Sequence, residues 1–214
     1  MTHGSGRPPV AGPAGVAVLV SELQRGVVGD LVPPNLSQLA DAVAQSELIV
    51  NAVQLLDGAR AHGVPVVHMT LQFRPDRVGF RLVTPLQAVT MRDPEYLLVG
   101  SDQAQVLPEL GLAPSDIVHA RTHGMSAFTG TDLDAILRSL DVDTVIIAGV
   151  SLNEAVFGAA IEAVNLGYRV MIPRDATVGL PQSFAEDMLR HVFAPLATIV
   201  TVEQILEAWT KVVS

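Results

Sequence analysis

The chain contains no cysteine. That excludes disulfides, thiolate metal sites and a cysteine nucleophile. Lysine is nearly as scarce: Lys211 stands alone against twelve arginines. With 13 basic and 22 acidic residues the formal net charge is −9, and no Lys/Arg cluster relieves it. Non-specific binding to nucleic acid or to an anionic membrane is therefore not expected, because both need clustered positive charge. Charged residues make up only 16% of the 214 positions. A surface so poor in charge favours subunit contacts, and we expect a homo-oligomer, either dimer or tetramer. No apolar run reaches the ~18 residues that span a bilayer. The Gly- and Pro-rich start, 1–14, lacks the apolar stretch of a signal peptide and reads as a flexible arm. The chain is expected to be cytoplasmic. G-x-G-x-x-G and Walker A patterns are missing, so no cofactor is expected.

Short apolar runs alternate with longer helical patterns along residues 15–214, which read as one domain. Strands are predicted at 16–21, 65–71, 117–120, 144–148, 169–173 and 198–201. Helical patterns occupy 35–61, 131–139, 153–166, 183–194 and 202–211, with Gly63 and Gly167 as stops for the first and third. Such alternation implies βαβ units and an α/β fold, a doubly wound, mostly parallel six-stranded sheet with helices on both faces. The stretch 72–107 is irregular, with Pro75, Gly79, Pro85, Pro94 and Gly100. An insertion of that kind suits a substrate or subunit loop.

In a doubly wound sheet the ligand site lies beyond the carboxyl ends of the strands. The residues that follow the predicted strands are Ser21-Glu22-Leu23-Gln24, the run from His119 to Phe128, the run from Gly149 to Ala155, and Arg174-Asp175-Ala176. Glu22 ends a buried apolar strand, where a charge needs a partner. Arg121 suits pairing or anion binding, since its charge is permanent. Its neighbours His119 and His123 read as a strand end and a surface position. Asn153 fits a helix N-cap, which leaves the N–H groups of Glu154 and Ala155 free to meet a carbonyl or carboxylate oxygen. Ser151 is a nucleophile only on paper, because G-V-S-L-N lacks the second glycine of a nucleophile elbow. Thr122 and Ser126 suit local hydrogen bonding.

Three of these segments carry a resemblance. V-S-E-L-Q at 20–24, S-A-F-T-G-T-D-L at 126–133, and A-G-V-S-L-N-E-A-V with A-V-N-L-G-Y-R-V and D-A between 148 and 176 resemble the isochorismatase-like superfamily of cysteine hydrolases. Their order from Val16 to Ala176 matches the superfamily pattern.

The resemblance implies an Asp, Lys and Cys triad, and all three positions differ here. Glu22 stands for the aspartate and Ala155 for the cysteine. The lysine position holds no lysine; Arg121 is the nearest cation, with His119 and His123 beside it. The resemblance also implies a cis peptide between Val150 and Ser151, which with Asn153 and Glu154 would shape an oxyanion hole. His123 and Phe128 complete the expected substrate contacts. Nicotinamidases of the superfamily bind a metal through D-x-H, which is absent here, and His3, His62, His68, His119, His123 and His191 are dispersed; no metal is expected.

Without a nucleophile the acyl-enzyme route is closed. Two readings remain. In the first, Glu22 acts as proton donor in a thiol-independent hydrolysis, as the strand-one carboxylate does in isochorismatases, which carry glycine at the cysteine position. Arg121 opposes that role if it lies close, because a fixed cation favours the carboxylate. In the second, the fold and a small-molecule pocket persist without the chemistry, giving a binder or an assembly subunit.

Overall fold

Unbroken apolar strands arise where a sheet is covered on both faces. In the computed structural model, which describes residues 10–212, β1 (Val16–Ser21) is buried at every position. Val16, Val18 and Val20 enter one hydrophobic core, while Ala17 and Leu19 enter a second. Alternation of side chains along a strand requires this division.

The other strands are β2 (Val66–Leu71), β3 (Ile117–Arg121), β4 (Thr144–Gly149), β5 (Arg169–Pro173) and β6 (Thr198–Val200). They form one six-stranded sheet in the order β3-β2-β1-β4-β5-β6. Every pair is parallel, so "mostly" in the expectation becomes "entirely". All six strand predictions agree with these bounds to within one residue.

The first core lies under α1 (Ser37–Ala44), α2 (Leu48–Ala61) and α7 (Val202–Val212). From α2 it takes Leu48, Ala52, Leu55, Leu56 and Ala59, spaced as one helical stripe. Trp209 of α7 is fully buried against them. The second core lies under α4 (Leu133–Ser139) and α5 (Phe157–Asn165), with α6 (Gln182–Asp187) at its edge.

Three helices differ from expectation. The pattern at 35–61 is two helices, because Ser46 breaks it: its Oγ donates to the Val43 carbonyl (2.8 Å) and accepts from Leu48 N–H (3.2 Å). One hydroxyl thus closes α1 and opens α2. The helices expected at 153–166 and 183–194 each contain a wide turn, Leu152–Val156 before α5 and Met188–Phe193 after α6. The irregular stretch 72–107 hides α3 (Pro85–Thr90), started by Pro85 and a reciprocal cap between Thr84 and Gln87. That stretch also leaves Val78, Leu82 and Val83 exposed.

Residues 1–9 of the expected arm lie outside the described residues. Val10 and Ala11, at the end of that arm, pack against the first core. Among the described residues no helix is long and apolar enough to cross a membrane.

The chain runs outward from β1 to β2 and β3, then returns to β4 and runs the other way. The switch point therefore lies between β1 and β4, whose ends are level, with Ser21 opposite Gly149. Their union is tight. Ser21 Oγ donates to the Val150 carbonyl (2.7 Å), and Val150 N–H donates to the Ser21 carbonyl (2.9 Å). Gly149 has φ of 104°, and a Cβ there would lie 2.2 Å from the Ser21 oxygen. Only glycine fits this crossing.

Candidate active site

Beyond the strand ends opens a cavity of about 340 Å3. β1 delivers Glu22 to it, held in the left-handed region (φ 51°) by its N–H donating to the Met69 carbonyl (2.9 Å). A left-handed backbone is uncommon for glutamate and marks an over-determined position. Gln24, fully buried, supplies part of that determination. Its side chain accepts from Leu71 N–H (2.7 Å) and donates to the carbonyls of Leu71 (3.0 Å) and Ala104 (2.8 Å). It locks the loop after β1 to β2 and to the insertion. Its position in V-S-E-L-Q was legible, but its role was not, since a lone glutamine carries no spacing signal.

Arg121, the last residue of β3, crosses in front of β2 and donates to the Glu22 carboxylate. Its guanidinium also contacts the carbonyls of Gly124 and Met125 (3.4 Å each). The arginine side chain is 3% exposed and that of Glu22 13%. Of the three candidates for the lysine position, Arg121 is thus the one that reaches Glu22. His119 turns away and meets Asp132 (2.9 Å). His123 lines the cavity with its ring against Gly130, and is not the surface residue its setting in a turn suggested.

Beyond β4 the Val150–Ser151 peptide is cis. Ser151, Glu154 and Ala155 line the cavity beside Glu22 and Arg121. The N-cap expectation for Asn153 is corrected. Helical geometry begins at Leu152, and the Asn153 Oδ1 instead accepts from Ser151 Oγ (2.8 Å) and Leu180 N–H (3.1 Å). The Glu154 N–H is not free either, because it donates to the Ser151 carbonyl (3.0 Å). Val150 is buried in the first core and Phe128 in the second, where its ring lies 6.1 Å from that of Tyr168. Neither they nor Asn153 lines the cavity.

The S-A-F-T-G-T-D-L segment is scaffold. Ser126 Oγ and Thr129 Oγ1 donate to the Glu162 carboxylate on α5, and Thr131 Oγ1 donates to the Ala127 carbonyl (2.6 Å). Among the described residues no group of three His, Asp or Glu is placed to hold a metal ion.

The cavity walls come mostly from the insertion and from α1 with the turn before it: Leu36, Leu39, Phe73, Phe80, Leu86 and Val89. Phe73 and Phe80 meet edge to face, with centroids 5.0 Å apart. The Tyr96 phenol, also in the wall, is pushed well above its usual range by burial and by the charges of Glu22 and Asp93. Burial, reinforced by the Glu22 charge, raises the pKa of the Glu154 carboxyl. The chemistry available is therefore one ion pair, one carboxyl inclined to hold its proton, and an apolar chamber. No nucleophile stands at Ala155.

Three comparisons place the chain among known proteins. A family model described as the isochorismatase domain matches residues 16–204. An uncharacterized isochorismatase family protein of Bacillus subtilis is 28% identical over 89% of this chain and 92% of its own length. The N-carbamoylsarcosine amidase of Arthrobacter is 31% identical over 62% of this chain and 49% of its own. Among solved structures, an isochorismatase family protein of Burkholderia thailandensis superposes with a TM-score of 0.76 at 26% identity, covering 94% of this chain and 98% of that one.

Proposed function

The chain belongs to the isochorismatase domain family, and on that premise we propose that it binds a small, largely apolar molecule without forming a covalent enzyme intermediate. The observation that carries this reading is the Glu22–Arg121 ion pair on the floor of an apolar cavity, beside an alanine. A cysteine hydrolase needs a thiolate at that third position and a base that takes and returns a proton. Ala155 offers no atom for the first task, and a guanidinium does not release its proton for the second.

Acid hydrolysis through Glu22 is disfavoured on the same geometry. Protonating Glu22 breaks its ion pair and leaves the arginine charge without a counter-ion in a buried place. Amidase activity belongs to relatives such as the N-carbamoylsarcosine amidase of Arthrobacter and does not carry over through these residues. The exposed Val78, Leu82 and Val83 of the insertion support self-association, and light scattering that returned only monomer at micromolar concentration would overturn it.

Titration with a neutral apolar fluorophore such as phenylnaphthylamine tests the pocket. Saturable binding is expected, and Leu86→Trp, which fills the chamber, should weaken it at least tenfold. Binding unchanged by that substitution, or hydrolysis of small amides by the wild-type protein, would contradict the proposal.

A further inference from the structure

The cavity floor carries more negative than available positive charge. Arg121 is the arginine among its lining residues, and its guanidinium is occupied by Glu22 and by the carbonyls of Gly124 and Met125. Glu22 and Arg121 together are neutral. Glu154 then stands as a second carboxyl in the same chamber, and no ion pair or side-chain hydrogen bond joins it to a described residue. The other titratable groups facing the chamber are His123 from the loop after β3 and Tyr96 from the insertion. A tyrosine and a histidine are weak counter-ions beside an arginine or an ammonium.

From this arrangement we infer that the pocket, read as above as a binding site, takes an organic cation: a flat or compact apolar body bearing one protonated nitrogen that pairs with Glu154. The walls supply the apolar surface, Phe73, Phe80, Leu36 and Leu39 among them. Aromatic rings also favour a cation over an anion at their faces. A carboxylate ligand, by contrast, would have to displace Glu22 from Arg121 and would meet Glu154 as a like charge. A neutral ligand gains the walls alone.

The burial that raises the Glu154 pKa sets the pH behaviour. Pairing with a cation favours the ionised carboxylate, so the ligand and the proton compete for Glu154. Affinity for the cation therefore rises as pH rises through the Glu154 titration, and complex formation within that range releases protons. The Glu154→Gln variant removes this dependence.

Three shape-matched probes decide the matter by calorimetry at about pH 8, where an ordinary carboxyl is ionised: naphthylmethylammonium, naphthylmethanol and naphthylacetate. The expected order is cation, then alcohol, then anion, with the cation about tenfold or more ahead of the alcohol, the scale of a charge-assisted hydrogen bond. In Glu154→Gln the cation should lose its lead over the alcohol. Equal or tighter binding of the anion overturns the inference, as does a cation preference that survives Glu154→Gln. Failure of the alcohol to bind the wild type would strike the pocket reading itself, whatever the order of the charged probes.

Discussion

Two arginine–carboxylate pairs flank β3, one at each end, and they differ in what surrounds them. Before the strand, Asp116 accepts from Arg60 (2.6 Å), Ala113 N–H (3.0 Å) and His68 (3.3 Å), and its side chain is 1% exposed. Burial alone would penalise that carboxylate, but these donors overcome the penalty and hold its pKa below the usual range. The same burial lowers the His68 pKa, so the ring enters as a neutral donor through Nε2. Both oxygens are engaged, Oδ1 by Arg60 Nε and Oδ2 by the other donors. After the strand, Glu22 and Arg121 pair on the floor of a chamber that Glu154 also lines, a carboxyl with no ion-pair partner among the described residues. Satisfied charge at the amino end of β3 fastens the helix α2 to the sheet. Charge at the carboxyl end is matched only in part, and the remainder faces the cavity. The first arrangement is architecture, and the second is where we propose that a ligand binds.

Substitutions can break the contrast. Asp116→Ala removes the acceptor shared by Arg60 and His68, and the expected loss is about 3–5 kcal/mol, the range for breaking a buried pair. Chemical denaturation should show a lower midpoint with the slope unchanged. The sign of the pH effect follows from the lowered Asp116 pKa. Its stabilisation is complete above the unfolded value of about 3.9 and is lost as pH falls through the folded one. The variant should therefore lose less stability on acidification than the wild type does.

Arg121→Met strands Glu22 in the same manner but beside a cavity that water can enter. The expected loss is about 2 kcal/mol, within the 1.5–3 of a hydrogen bond to a charged group, read from the midpoint of chemical denaturation. A loss as large as that of Asp116→Ala would erase the distinction between the two ends of β3.

The smallest change in stability is expected from Glu154→Gln, and its sign is opposite. A raised pKa means that the native protein holds this proton more firmly than the unfolded chain. Stability is then full below the ordinary glutamate value of about 4.3 and declines as pH rises through the folded value. Glutamine has no proton to lose, so the variant should be slightly more stable than wild type at neutral pH and level with it in acid. A destabilised variant at neutral pH would show that Glu154 has a partner after all.

Much of this was legible in the chain because strands buried on both faces leave unbroken apolar runs, as at Val16–Ser21 and Thr144–Gly149. The positions after those runs led to Glu22 and Ala155, and the end of the half-exposed β3 led to Arg121; all three share one cavity. Helix interruptions were not legible where a single side chain made them, as Ser46 does. Phe128 and Val150 follow strands just as Glu22 does, yet they point into the cores; distance along the sequence does not say which side of a turn a side chain takes. The insertion concealed α3 behind its prolines, although Thr84-Pro85-Leu86-Gln87 holds both helix-start signals. Gln24 and Tyr96 act through contacts with distant segments, which no local pattern records.

The claim beneath all of this is that the pocket has lost the proton-cycling machinery as well as the thiol. Restoring the thiol alone tests it. We expect folded Ala155→Cys to hydrolyse neither nicotinamide nor N-carbamoylsarcosine above background, because Arg121 can steady a thiolate but cannot pass protons between substrate and water. Glu22 also reaches one methylene further than aspartate, a displacement of roughly 1 Å that can lower a rate about a hundredfold. Turnover is expected only when Glu22→Asp and Arg121→Lys accompany the cysteine. Robust hydrolysis by the single Ala155→Cys variant, measured as ammonia release, would contradict the account by showing that a competent acid–base pair remains in the pocket.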